Sequence, residues 1–339
     1  MTQSIPSRRI FLRQISFAGI AAGIADHVFS QTEKKHVSRR IGIIGLDSSH
    51  SIAFTQLLND DAGSLYKNYR VTVAYPKGSD LIESSKQKII ENTKSIQSHG
   101  VRIAASIEEL LNEVDAVMLE TNDGRLHFEQ LVPVFQSGKP VFIDKPLAAS
   151  LGDVIRIFHY AAKYKTPVFS SSALRYIKGI QDVRKGSIGN VLGAETFSPA
   201  PIEKSHPDLF WYGIHGVEML YALMGTGCKW VMRVHTADTD IVTGIWQGER
   251  IGVMRGMRSG KTDYGGFVFG EKDNVTLGGF ESYDALLQKI VDFFETGISP
   301  VSAEETTEIY AFMESADESK RQDGKPVSLD TILTANQFK

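Results

Sequence analysis

The apolar positions of this chain fall into two regimes. Between residues 40 and 144, short unbroken apolar runs alternate with stretches of helical spacing. "RIGIIGL" (40–46), "YRVTVAY" (69–75), "VRIAAS" (101–106), "DAVMLET" (115–121) and "KPVFID" (139–144) read as strands, unbroken as in parallel sheets. Ile52, Ala53, Leu57 and Leu58 mark a helix over 48–60. Residues 80–100 form a polar helix that ends at a glycine. Ser106, with Glu109 three positions on, caps a helix over 106–114, and 125–138 makes another. A helix over 150–166 and a strand with its exit over 167–176 follow. The repeated βα unit with short connections predicts a doubly wound parallel sheet.

Beyond residue 176 the rhythm shortens. "VLGAETFS", "WVMRVHTA", "DIVTGIWQ", "RIGVMRGM" and "GGFVFG" are short strands divided by Gly, Asp and Glu, with no helices between them. They predict an open, mostly antiparallel sheet, with helices over 210–224 and 283–296 covering one face. The chain thus divides into residues 1–30, a parallel-sheet domain over 39–150 and an α/β domain over 151–335.

Composition narrows the partners. With 339 residues the chain exceeds what one core usually serves, and its 42% hydrophobic and 23% charged content is that of a soluble enzyme. A net charge of −3, without a basic stripe, excludes nucleic acid as a partner. The lone Cys228 excludes an intrachain disulfide and any Cys-based metal site. His206, Asp208, His215 and Glu218 lack the spacing of a ligand motif, so no metal is expected there. Arg8–Arg9 in "SRRIFLRQ", the apolar "ISFAGIAAGIA" and "VFS" before Gln31 resemble a twin-arginine (Tat) signal peptide. That predicts a periplasmic or otherwise exported protein, which meets the membrane only during export.

"IGIIGLDSSH" (41–50) sits where a dinucleotide-binding turn belongs. Gly45 keeps the first glycine of G-x-G-x-x-G; Asp47 takes the second place and His50 the third. A carboxylate about 4 Å from a phosphate costs roughly 1 kcal/mol in water and about 4 at an effective dielectric of 20. Asp47 therefore either weakens a pyrophosphate site or turns away to cap the following helix, leaving Ser48 and Ser49 as donors and a protonated His50 to offset the charge. The second strand ends in Tyr75-Pro76-Lys77-Gly78-Ser79, with no acid for a ribose until Asp80. Lys77 and Ser79 there suit a 2′-phosphate, which leans toward NADP, or form a solvated loop.

With both halves read, residues 39–330 resemble the Gfo/Idh/MocA oxidoreductases, a Rossmann domain followed by an open-sheet α/β domain. "SGKPVFIDKPLA" (137–148) is similar to the family's G-K-x-V-x-x-E-K-P signature, with Asp144 for Glu. "WYGIHGVEMLYALMG" (211–225) is similar to its second signature, with His215 and Glu218 in place and Trp211 where Asp is usual. The resemblance implies NAD or NADP as cofactor and a small carbohydrate-like substrate. It implies that Lys145 assists the proton transfer that accompanies hydride transfer, and that Thr121 and Asn122 lie against the nicotinamide ribose. Pro146 fixes the turn that aims Lys145. His215 titrates near neutrality and suits a base for a substrate hydroxyl, with Tyr212 a further proton carrier. Arg175, Asp208 and Trp211 are candidate substrate residues, Arg175 alternatively an inter-domain salt bridge. The open sheet is expected to pair copies of the chain.

The reading that follows is an exported NAD(P)-dependent oxidoreductase of a sugar, cyclitol or related polyol. Two others stay open. One is an NAD-dependent glycoside-cleaving or epimerising enzyme that recycles its cofactor internally. The other is a non-catalytic carbohydrate-binding protein on a degenerate Rossmann scaffold.

Overall fold

The computed structural model describes residues 39–60 and 65–336. The expected signal peptide lies outside the described residues. Strands β1 (Arg39–Ile44), β2 (Tyr69–Tyr75), β3 (Arg102–Ile103), β4 (Ala116–Leu119), β5 (Val141–Ile143) and β6 (Val168–Ser170) form one parallel sheet in the order β3-β2-β1-β4-β5-β6. Helices α1 (His50–Asp60), α2 (Glu83–Ser98), α3 (Ile107–Leu111), α4 (His127–Ser137) and α5 (Leu151–Tyr164) connect them. Ile43, Ile44, Val117, Leu119, Val141 and Ile143 are fully buried, which is why these strands read as unbroken apolar runs. Ser106 caps α3 as its spacing predicts, accepting from the Glu109 N–H at 3.1 Å. β6 extends this sheet past residue 150, where the sequence drew the first domain's end.

A 3-10 turn (Ala173–Tyr176) and α6 (Lys178–Arg184) lead into the second sheet. Its strands are β7 (Val191–Pro199), β8 (Cys228–His235), β9 (Thr239–Trp246), β10 (Ile251–Met257), β11 (Gly265–Gly270), β12 (Asn274–Leu277) and β13 (Val327–Ser328), in the order β12-β11-β7-β10-β9-β8-β13. All its pairings are antiparallel except β7 with β10, which is parallel. Helices α7 (Ile214–Met224) and α9 (Ala303–Arg321) pack on one face, and α8 (Asp284–Thr296) and α10 (Leu329–Asn336) complete the fold. Trp230, Val234, Ile251, Phe267 and Phe269 stay exposed on the strands. Residues 39–336 lie within one compact unit. One tie between the halves is direct: the Leu147 N–H donates to the Tyr310 hydroxyl of α9 at 2.5 Å.

Candidate active site

The strand order reverses between β1 and β4, and the crevice at that point is where ligands bind in open α/β sheets. Here the first residue of α1, His50, meets Glu120 and Asp144, which directly follow β4 and β5. His50 Nδ1 lies 2.7 Å from Asp144 Oδ2 and 3.9 Å from Glu120 Oε2. The two departures from family pattern, His50 for a small residue and Asp144 for glutamate, are thus two halves of one pair. Against its own burial, the neighbouring His50 ring holds the Asp144 carboxyl down at about 2. Glu120, a residue the sequence reading passed over, is fully buried. Burial, and next the Asp144 carboxylate, push its carboxyl well above the usual range.

Lys145 follows at once, its N–H donating to Asp144 Oδ1 at 2.8 Å and its ammonium 4.8 Å from the centre of the Tyr212 ring. His215 faces the same cleft, whose volume is about 160 Å³ and whose walls include Ser48, Ser49, Asn122, Lys145, Tyr212 and His215. His215 Nδ1 is 2.7 Å from Ser172 Oγ. Burial, then the charge of Lys145, lowers its pKa well below the usual imidazole value, so the ring is neutral. Sequence reasoning did not single out four other wall residues: Lys88 of α2, Ser172, Tyr264 and Tyr283. Tyr283, from the segment before α8, packs edge-on against His50 at 4.7 Å.

Asp47 turns inward. It is fully buried, Oδ2 accepts from the Ser79 N–H and Oδ1 from the Asn122 N–H, each at 3.0 Å. One carboxylate thus joins the turns after β1, β2 and β4. Its two oxygens are engaged by these turns rather than by the first turn of α1. Gly45 adopts the left-handed turn expected of it, with φ +88°, and its N–H donates to the Tyr75 carbonyl at 2.9 Å. The Asn122-Asp123-Gly124 turn is braced further. Asp123 accepts from the Ser79 hydroxyl at 2.7 Å, and the Gly124 N–H donates to His206 Nε2 at 3.2 Å. Burial brings the His206 pKa down to about 4. His127 sits between the carbonyls of Thr121, at 2.7 Å, and Leu147, at 3.0 Å.

Several sequence candidates lie elsewhere. Ser79 spends both its N–H and its hydroxyl on buried aspartates, so it does not serve a 2′-phosphate. Lys77 is exposed, and Tyr75 is half-buried against the core. Thr121 is fully buried beside Gly45. Arg175 takes the salt-bridge alternative: fully buried, its Nε meets buried Glu218 at 2.8 Å and its Nη1 meets partly buried Glu305 at 2.5 Å. Asp208 pairs with Arg233 at 2.8 Å and Lys320 at 2.7 Å. Trp211 is buried against the His206 ring, 5.0 Å away, so it offers no stacking wall.

Comparison with known proteins agrees with this fold. Residues 39–171 match the model of an oxidoreductase family with an NAD-binding Rossmann fold. An uncharacterized oxidoreductase of Streptococcus pneumoniae serotype 4 is 26% identical over 154 residues, 40% of this chain and 41% of that protein. The chain therefore spans well under half the length of the curated relative it matches. A probable dehydrogenase of Thermotoga maritima shares the fold at TM-score 0.69 and 21% identity, covering 86% of this chain and 99% of its own. The scyllo-inositol dehydrogenase of Lactobacillus casei with bound NAD(H) and scyllo-inositol does so at TM-score 0.68 and 14% identity, covering 87% and 100%.

Proposed function

Residues 39–171 belong to the Gfo/Idh/MocA oxidoreductases, with their NAD-binding Rossmann fold, and from that premise we propose that the protein moves hydride between NAD(P) and a hydroxyl of a sugar, cyclitol or related polyol. The observation that carries this reading is the convergence of Lys145, Tyr212 and His215 on one cleft at the carboxyl edge of the parallel sheet. The inositol dehydrogenase of the same fold supports the polyol class.

The residues present fit a dinucleotide unevenly. Asn122 and Lys145 suit the nicotinamide end, and Ser48, Ser49 and the cationic Lys88 suit the phosphates. The adenosine end has only exposed Lys77. The Asp47 oxygens accept from the Ser79 and Asn122 N–H groups, which supports a phosphate bound beside the turn rather than against that carboxylate. Bound there, the nicotinamide supplies a hydride acceptor for the carbon that bears the hydroxyl. The protein's own part is the proton. Neutral His215, with Nδ1 held by Ser172, leaves Nε2 to accept the hydroxyl proton when Nδ1 carries the hydrogen. Lys145 places a positive charge where the alkoxide develops. Tyr212, stacked beneath that ammonium, limits where it can swing.

The Arg8–Arg9 segment supports export of the folded chain with its cofactor already bound. The exposed Trp230, Ile251, Phe267 and Phe269 support pairing of two copies through the open sheet. The test of the activity is to mix the full chain with NAD or NADP and a panel of inositols, hexoses and polyols, and to follow nicotinamide absorbance. Reduction with at least one polyol is expected. No reduction of either cofactor across the panel contradicts the reading.

A further inference from the structure

We infer that His50, Glu120 and Asp144 form a binding site for one divalent transition-metal ion on the floor of the cleft. Glu120 and Asp144 directly follow β4 and β5, and His50 opens α1 after the turn that leaves β1; these three neighbouring strands flank the reversal in strand order. Their donor atoms lie within 4.8 Å of one another. An ion held at about 2.0–2.2 Å from each nitrogen and oxygen needs only small side-chain adjustments from that arrangement.

A second observation points to a ligand independently. Glu120 is fully buried, and among the described residues neither of its carboxyl oxygens is in hydrogen-bond geometry with a partner, its polar neighbours being the Asp144 carboxylate and the Ser48 hydroxyl. Its Oε2 is turned toward His50 Nδ1, 3.9 Å away. A buried polar group left without a partner is costly, and a bound ion is one of the few things that would satisfy it. The surroundings hold the donors in place. Asp144 Oδ1 is engaged by the Lys145 N–H, which leaves Oδ2 directed at the cluster. The His50 ring is packed between Phe54, at 5.3 Å, and Tyr283. The Glu120 N–H donates to the Ile44 carbonyl at 2.7 Å and fixes that strand end. The nearby ammonium of Lys145 is turned to the Tyr212 ring.

One imidazole and two carboxylates suit Zn²⁺, Mn²⁺ or Fe²⁺ rather than a soft ion such as Cu(I). Three protein donors leave coordination positions open, as in catalytic rather than structural sites. Asp144 and His50 line the cleft that holds Lys145 and His215, so an oxygen ligand entering it can meet the ion. The site goes beyond the hydride-transfer reading and does not depend on it.

The test uses the full chain, stripped with a chelator and then offered Zn²⁺, Mn²⁺ or Co²⁺ separately. Elemental analysis after gel filtration is expected to find one ion per chain, with a rise of several degrees in thermal midpoint. Glu120→Gln, which keeps the shape, is expected to weaken binding at least tenfold while leaving the circular dichroism unchanged. If that variant fails to fold, the visible absorption of Co²⁺ on the unaltered chain decides, since His and carboxylate ligation shifts it from that of the aqueous ion. No retained ion and no thermal shift with any of the three metals overturns the inference, as does undiminished binding by folded Glu120→Gln. NAD(P) binding is measured on the same stripped sample, so its failure is read separately.

Discussion

Two buried charge clusters in this molecule have opposite characters. In the second sheet, Arg233 is fully buried among Asp208, Asp240 and Asp317, with Arg258 and Lys320 closing the set, three cations against three carboxylates. At the crevice of the parallel sheet, the Glu120 carboxyl is in hydrogen-bond geometry with no partner among the described residues, and Lys145 faces an aromatic ring and a cleft. The first cluster has its hydrogen-bonding capacity matched internally and is architecture. The second has capacity left over, turned toward His50 and Asp144, which line the cleft. Asp208 looked like a substrate residue in the sequence and belongs to the first kind; Glu120 went unnoticed and belongs to the second.

Substitutions should separate the two clusters by what they damage. The largest loss of stability is expected from Arg233→Ala, which takes the shared partner from fully buried Asp240 and partly buried Asp208 and Asp317 and should cost about 3–5 kcal/mol in urea unfolding. Activity per folded molecule should hold. Lys145→Ala should do the reverse, lowering kcat/KM on the order of 10³-fold with little change in unfolding midpoint. Equal loss of stability in both variants would erase the distinction.

Asp47→Gly restores the glycine that the family motif has at that position, and a sequence argument would have it improve cofactor binding. The structure says otherwise. Removing the carboxylate leaves the Ser79 and Asn122 N–H groups unpaired, so the variant should lose roughly 2–4 kcal/mol and bind no better. A gain in NAD(P) affinity without loss of stability would show that Asp47 opposes the cofactor.

The smallest effect is a slope. His206 is pushed down to about 4 by burial, and burial also lowers His215 and His127. The unfolded chain then binds more protons than the native one below about pH 6.5, so stability falls as pH drops from there toward 4. Each such histidine contributes at most about 1.4 kcal/mol per pH unit. In urea titrations across this range, His206→Gln should flatten the slope by up to that amount; an unchanged slope would contradict the burial of His206.

The fold was largely legible because its signals are local. β2 and β11 occupy the very residues their alternation and runs marked, and Ser106 caps its helix. Helix α9 was not marked, since it buries Thr306, Thr307, Ser315 and Ser319 and so hides its inward face from any hydropathy period. At the site, Lys145, Tyr212, His215, Asn122, Ser48 and Ser49 line one cleft. Arg175 takes the salt-bridge alternative, and Asp208 pairs with Arg233 and Lys320; no local spacing marks these partners, which come from other elements of the chain. Glu120 carries no motif, and a glutamate closing a strand reads as a polar end rather than a fully buried carboxyl.

The central claim, that the unsaturated crevice is the working site of an oxidoreductase, is tested most directly by titrating the full chain with NAD and with NADP in a calorimeter. Saturable binding of at least one of them, unaffected by Arg255→Ala on the exposed side of β10, is the predicted result. No heat and no saturation with either cofactor, on protein shown to be folded, would contradict it and leave a carbohydrate-binding scaffold in its place.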